Sequence, residues 1–462
     1  MQSWAAQELQ SVNLGHQARH KRLVTLLEDF AAAPTAPIPA ACGTPAKTKA
    51  AYRFLSCEQV AAAAIRQGHI AATVQRACQA GRILVLQDTT SLDFTAHPAT
   101  QDLGPLDHPG HSGLKVHSGL ATTLQGVPLG LLYQETWARD GATVGQLPPR
   151  RQRATADKES QRWLNTVAAC EQVLPADVEA IVVGDREADI YDLLAQQRRP
   201  GLELLVRAAH NRRVTLSGAG NAQAKYLWQA VQATPACGQL VVEVQRANQR
   251  QARQATLEVR YAALNLEPPR HAKGRAALQP VPVAAVLVQE RQPPAGQAPL
   301  CWLLLTTLDV TCWAEAVECV QWYAQRWKIE RYHFVLKSGC AVEALQLETA
   351  ARIKRAVAVY CIVAWRLLWL TYQARETPEA PCTVVLDEME WRALWVTVQG
   401  RQALPEAPPS LRQAVRWIAQ LGGFQGRKGD GEPGVKVLWR GLRRLHDITS
   451  TYVLLTQVLG NG

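Results

Sequence analysis

The stretch WYAQRWKIERYHFVLKSG carries a phenol, a guanidinium, a carboxylate and an ammonium at Tyr323, Arg326, Glu330 and Lys337. The spacing is Y-x2-R-x3-E-x6-K. At 100° per residue, the last three fall about 300°, 340° and 320° around a helix from Tyr323, so the four share an arc of about 60°. A face built only to pack would be apolar, and one built only for solvent would not hold Trp327 and Phe334 along its edge. The combination suits a site that holds a divalent metal through Glu330 and grips phosphates with Arg326 and Lys337. The bland alternative is a surface ion pair between Arg326 and Glu330, worth roughly a few tenths of a kcal/mol. The shared stripe with Tyr323 and Lys337 favours the functional reading.

Two further carboxylates follow apolar runs: Asp88 in ILVLQDTTSL and Asp185 in IVVGDREADIYDLL. Either alone reads as a turn or a helix cap. The DTTSL, DREAD and Y-R-E-K contexts, in that order, resemble the bacterial DDE transposases of the insertion-sequence-four family, transposon-five branch. The resemblance extends from the RLVTLLEDF and AYRF segments to LGGF and LW-RG near the end, nearly the whole chain. It implies that Asp88, Asp185 and Glu330 form a catalytic triad binding Mg²⁺, with Mn²⁺ as substitute. Hard oxygen ligands select such ions over zinc, and two of them can serve both the attacking and the leaving oxygen of a phosphodiester. It further implies that Arg326 and Lys337 bind phosphates beside the cleaved bond and that Tyr323 donates to a phosphate. Trp302, in LCWLLLTT, resembles the tryptophan that stacks on a base flipped from the DNA end. Trp327 resembles the one beside the family's arginine, and Arg207 a cation of the same pocket. Arg19, Arg22 and Arg53 match basic positions of the end-binding domain, although His16, Gln17 and Ala18 stand where relatives carry Asp-Pro-Arg. Asp93, Glu187 and Asp189 are nearby rivals, of which Glu187 and Asp189 are read as supporting residues or as groups at a helix N-terminus.

At 462 residues the chain exceeds one core, and 47% apolar residues with 14 Trp mark it as globular. No secretory signal opens it, and the longest apolar run, Ala356 to Trp365, is too short to span a bilayer. Eleven scattered Cys without CxxC pairs suit a reducing compartment, hence a cytoplasmic protein, and the resemblance implies a bacterial, nucleoid-associated one. Net charge is +11, and from Arg207 to Arg291 there are 12 Lys and Arg against 4 Glu. That segment, including QRANQRQARQ, reads as a surface for a polyanion. His97, His108, His111 and His117 fit no closed zinc site, and HPGHSG reads as a flexible loop over DNA.

Periodicity places a helical block at residues 1–61, broken by a linker, PTAPIPAACGTP. An α/β core follows over 62–376, with strands at Ile83–Gln87, Leu114–Thr123, Gly130–Thr136 and Ile181–Gly184. The resemblance makes this a ribonuclease-H-like domain with a β-rich insertion at about 215–310. One helix runs from about Cys312 to Lys337, and a helical domain occupies 377–462. The implied activity is cut-and-paste transposition, through a hairpin intermediate, by a homodimer paired on two double-stranded DNA ends, with no membrane partner. The alternative is an inactive or domesticated DNA-binding relative, which the intact acidic set argues against. The C-terminal helical stretches, rich in Trp and Leu, read equally well as ordinary core or as dimer interface. They lack the family's basic run, with TVQGRQALPEAPPS in its place.

Overall fold

The structure, a computed structural model, describes residues 3–141, 153–216, 225–244, 253–270, 275–400 and 402–460. Among them, twelve strands form one mixed sheet. The first half comprises β1 (Arg82–Asp93), β2 (Gly104–Pro105), β3 (Ser112–Thr122), β4 (Pro128–Trp137), β5 (Glu179–Gly184) and β6 (Leu202–Arg207). Strands β4, β3 and β1 pair antiparallel, whereas β1, β5 and β6 pair parallel. This is a ribonuclease-H-like α/β core. The insertion supplies β7 (Arg213–Leu216), β8 (Lys225–Tyr226), β9 (Gly238–Val244), β10 (Arg253–Leu266), β11 (Val281–Glu290) and β12 (Cys301–Thr306). Because β12 pairs with the edge of β6, the insertion extends the core sheet. Residues 245–252, most of the QRANQRQARQ run, lie outside the described residues. Nearby cations are paired: Arg253 with Glu290, and Arg260 and Arg291 with Glu258.

Four N-terminal helices are α1 (Trp4–Glu8), α2 (Gln17–Ala32), α3 (Ile38–Cys42) and α4 (Pro45–Ser56). The expected linker therefore holds a helix, and Ile38 and Cys42 are buried, so this proline-rich stretch is packed. After α5 (Ala62–Ala80), helices α6 (Gln161–Val173), α7 (Tyr191–Ala195) and α8 (Leu227–Gln232) cover one sheet face. Alternation along β1 sends Ile83 and Val85 to Trp163 and Val167 of α6. Leu84 and Leu86 face the opposite way, into a core shared with the N-terminal helices and a later one.

The expected helix from Cys312 to Lys337 is divided. It comprises α9 (Trp313–Ala324), α10 (Trp327–Phe334) and a π-helical turn at Val335–Gly339. At the break, the Gln325 and Arg326 N–H groups bond to carbonyls three residues back, Trp322 and Tyr323, each at 3.0 Å. This is 3₁₀ overwinding, and the turn after α10 is underwound. Neither Pro nor Gly occurs at 325–326, so no sequence signal marks the break.

The long α11 (Ala350–Glu376) joins the core to α12 (Glu388–Gln399), α13 (Leu411–Leu421) and α14 (Val435–Gly460). Leu394, Ile418 and Leu438 centre a separate C-terminal core. Among the described residues no helix is long and apolar enough to cross a membrane. All eleven cysteines are unpaired.

Two contacts seat the N-terminal helices. Phe30 stacks on Tyr360 of α11, with centroids 4.6 Å apart and planes at 4°. Buried Glu8 accepts bidentately from Arg76, at 2.8 and 2.9 Å, and from the His69 ring at 2.5 Å. Burial pushes the Glu8 carboxyl up, but the hydrogen bonds from Arg76 and His69 outweigh it and leave the group at about 2. Burial holds His69 neutral, its other nitrogen accepting from the Leu131 N–H. A carboxylate with a depressed folded pKa stabilises fully above its unfolded value, and that stability is lost as pH falls through the folded one. Glu8→Gln is expected to lower the unfolding temperature at pH 7, with the gap to wild type closing between about pH 4.5 and pH 2. A pH-independent gap would assign the loss to packing alone.

Candidate active site

Asp88 was expected just past a strand. It lies mid-strand, because β1 stays paired with β3 from Leu84↔Thr122 to Asp93↔Gly113. Its own cross-strand partner is Ser118. On the other side, the parallel register reaches Leu86↔Val183, so two residues further on Asp88 stands level with Asp185. Neighbouring strands are about 4.8 Å apart, which brings the two carboxylates side by side. Asp185 follows β5 and caps a short 3₁₀ turn, accepting from the Glu187 N–H at 2.8 Å. Gly184 lets this turn close, since a Cβ there would stand 2.4 Å from that of Ala188.

The electrostatics record this crowding. Burial, followed by the negative charge of Asp185 and then of Glu330, pushes the Asp88 carboxyl up to about 7 despite the Thr89 N–H and Arg326. Two like charges held this close oppose ionisation unless a cation joins them. Glu330 is exposed on α10 and pairs with Arg326 at 2.5 Å. Arg326, at the helix break, also faces Tyr323 and Asp88. Among the described residues no three His, Cys, Asp or Glu side chains converge on one point as a closed metal group. Glu330 is thus within the field of Asp88 but turned to Arg326. The all-oxygen donor set and the raised Asp88 fit a hard divalent cation.

The stripe is reshaped by the break and the π-turn, yet its members stay together. Tyr323 is buried, and its ring meets Trp302 of β12 edge-on at 5.4 Å. Arg207 at the end of β6 donates to the Cys301 carbonyl, beside Trp302, at 2.9 Å. Lys337, on the π-turn, reaches the Ser91 carbonyl of β1 at 2.9 Å and the Glu343 carboxylate at 3.1 Å. Trp327 is 44% exposed on the outer side of α10. The N-terminal arginines lie elsewhere: Arg19 is tied to the Leu14 carbonyl and the Gln59 amide, while Arg22 is half-buried and Arg53 exposed.

Several supporting residues gave weaker signals in sequence. His117 and Ser118 are polar positions in an otherwise buried strand. His117 bonds Thr89 Oγ1 at 2.7 Å and Thr166 Oγ1 at 3.1 Å, and Ser118 meets the His333 ring of α10 at 3.2 Å. Opposite Asp88, therefore, β3 holds the helix that carries Glu330. Glu343 also accepts from the Asp93 N–H at 2.9 Å, fastening the π-turn to the end of β1. Asp93 is engaged elsewhere: it accepts from Thr95 and His111, and those bonds hold it at about 2. Asp189 is buried and clamps Arg212 and the N–H groups of Ala209 and His210, a support for the strand after β6. The HPGHSG segment is a pinned turn, with His111 bonded through its backbone to Leu106 and His108 and through its ring to Asp93.

Three family descriptions match the chain. Residues 1–60 match "Transposase DNA-binding", residues 153–366 match "Transposase DDE domain", and residues 362–452 match "Transposase Tn5 dimerisation domain". The DDE match includes Asp185 and Glu330 but begins after Asp88. Asp88 is joined to them by strand register and electrostatics.

The strain at Asp88 has a measurable consequence. A carboxyl whose folded pKa is raised costs stability above its unfolded value, increasingly up to the folded one. Metal-free Asp88→Asn is expected to unfold several degrees above wild type at pH 8. Added Mg²⁺ or Mn²⁺ should raise the wild-type midpoint and leave that of the variant nearly unmoved. A variant less stable than wild type without metal would mean the carboxylates do not repel.

Proposed function

Because the chain belongs to the Tn5-like DDE transposases, enzymes of metal-dependent DNA cleavage and joining, we propose that it moves its element by cutting both ends free and inserting them elsewhere. The observation that carries this reading is the level placement of Asp88 and Asp185, with Glu330, Arg326 and Lys337 gathered over the same strand. We assign Asp88, Asp185 and Glu330 as the catalytic residues and the ligands of Mg²⁺, for which Mn²⁺ would substitute. Bound there, divalent ions would activate the attacking oxygen and stabilise the departing one.

The chain's own groups do the positioning. Arg326 holds Glu330 and has further donors for a phosphate oxygen, so DNA arriving at the site competes for the guanidinium and frees the carboxylate. Lys337 sits on the carbonyl of Ser91, three residues from Asp88, as a second phosphate cation. Tyr323, which faces Arg326, and Trp302 form an aromatic wall, with Trp302 half-buried and able to offer an indole face to an unstacked base. A base lodged there would let the nicked strand bend so that its 3′-hydroxyl attacks the opposite strand, giving a hairpin. Hydrolysis of the hairpin and attack on target DNA complete the cycle.

Paired ends need two active sites held together, which a two-fold dimer supplies. Of the C-terminal stretches, α13 and the start of α14 are core, through Ile418 and Leu438. Further along α14, Leu454 and Leu455 are 63% and 56% exposed. We assign that end of the helix to the contact between copies. Each subunit would then bind one end through residues 1–61 and cut the other.

On duplex DNA bearing the element's ends, Glu330→Ala is expected to bind normally and leave both strands intact. Trp302→Ala is expected to nick but accumulate nicked DNA, its hairpin yield falling roughly 5- to 150-fold for a lost stack of about 1–3 kcal/mol. Wild-type hairpin rates in Trp302→Ala would return that residue to the core, and cleavage by Glu330→Ala would remove Glu330 from the triad. For assembly, Leu454→Glu combined with Leu455→Glu should leave single-end complexes and abolish two-end complexes, as measured by light scattering. Persistence of cleaving two-end complexes would place the dimer contact elsewhere.

A further inference from the structure

Beyond Lys337, the catalytic helix runs into α14 at a cavity of about 690 Å³. Lys436, Arg440, Arg443 and Arg444 line it over an aromatic floor of Phe334 and Trp439, and Asp447 is the one acid on its wall. At 100° per residue, Lys436, Arg440 and Arg443 fall within about 60° of one another, so one face of α14 is cationic along two turns. All three are exposed, and none makes a hydrogen bond or ion pair among the described residues. Arg444 differs, donating to the Leu421 carbonyl at 2.9 Å. Phe334 lies 5.8 Å from Trp439, centroid to centroid, and is 37% exposed. Arg331 sits over Phe334 at 5.2 Å and over Trp327 at 5.9 Å. A track of alternating aromatic and cationic groups therefore leads from Glu330 along α10, past the π-turn, to α14.

Its charge is uncommitted, unlike that of Arg253, Arg260 and Arg291 in the β insertion, each of which is paired with a glutamate. A row of free cations along a helix fits the repeating charges of a nucleic-acid backbone better than a single small anion, which would engage one or two of them. From this geometry we infer that Lys436, Arg440 and Arg443 form a DNA backbone site continuous with the active site, taking the phosphates of duplex DNA beyond the reacting bond. The inference rests on the proposed DNA-cleaving function. It places sequence-independent grip on α14, in a C-terminal domain where the family's basic run is replaced by TVQGRQALPEAPPS. Two duplexes offer the same chemistry: the element's end and the target.

The test combines Lys436→Gln, Arg440→Gln and Arg443→Gln in the full-length chain, with each single substitution made alongside. Two labelled duplexes serve as probes, one carrying the element's terminal sequence and one of random sequence. Each phosphate contact contributes about 0.9 to the slope of log affinity against log salt. If the element's end occupies the track, the triple variant loses roughly 2–3 units of slope on end DNA, and each single substitution roughly one. If target DNA occupies it, end binding and nicking stay at wild-type levels, while capture of the random duplex by pre-cleaved complexes falls at least tenfold. Unchanged slopes and unchanged capture in the triple variant, beside a wild type that binds and cleaves, would overturn the inference alone. A wild type that neither binds nor cleaves end DNA in Mg²⁺ would overturn the proposed function, and the inference with it.

Discussion

Two aspartates share one level on adjacent parallel strands, and the fold is organised around sustaining that like-charge contact. The register of β1 with β5 sets it, and the apolar runs ILVL and IVV, buried on both faces, fix the register. A one-residue slip would turn Asp88 to the opposite face of the sheet. Burial first, and then the charge of Asp185, raise the Asp88 carboxyl to about 7. Arg326 offsets part of it, and the overwound turn between α9 and α10 is where that arginine sits. Functional sites commonly store such strain, and the surrounding packing maintains it.

The supporting groups form two ties between helix and sheet. His333 and Ser118 hold α10 against β3 directly opposite Asp88, while Glu343 and Lys337 hold the π-turn against the end of β1. Burial holds both His117 and His333 at about 3, so they act as neutral hydrogen-bonding groups, not as acids or bases near neutral pH. Together these ties place Glu330 near the aspartates without committing its carboxylate to them. Under the proposed function, that arrangement would leave Arg326 and Glu330 able to exchange partners when a phosphate arrives.

The acidic residues and the stripe were legible because their spacing carries chemistry: apolar runs end in Asp88 and Asp185, and one helical face gathers Tyr323, Arg326, Glu330 and Lys337. What was not legible depended on pairing across the chain. The polar continuation TTSLD has no apolar alternation, so only pairing with β3 shows that β1 runs on to Asp93. The break at Gln325–Arg326 lacks Gly or Pro, and the packed helix inside PTAPIPAACGTP is masked by its prolines, which suit a first turn as well as a linker. The extension of the core sheet by β12 is a long-range contact with no local signature. Asp189 could be read as a supporting residue or a helix N-terminal group; its burial and its bonds to Ala209, His210 and Arg212, which tie down the segment after β6, are not visible in sequence.

The central claim is that Asp88 and Asp185 form one divalent-cation site. Anomalous diffraction from crystals grown with Mn²⁺ and end DNA measures it most directly. The account predicts a strong peak bridging the Asp88 and Asp185 carboxylates, with Glu330 released from Arg326. Bound DNA with no anomalous density between those two aspartates would contradict it.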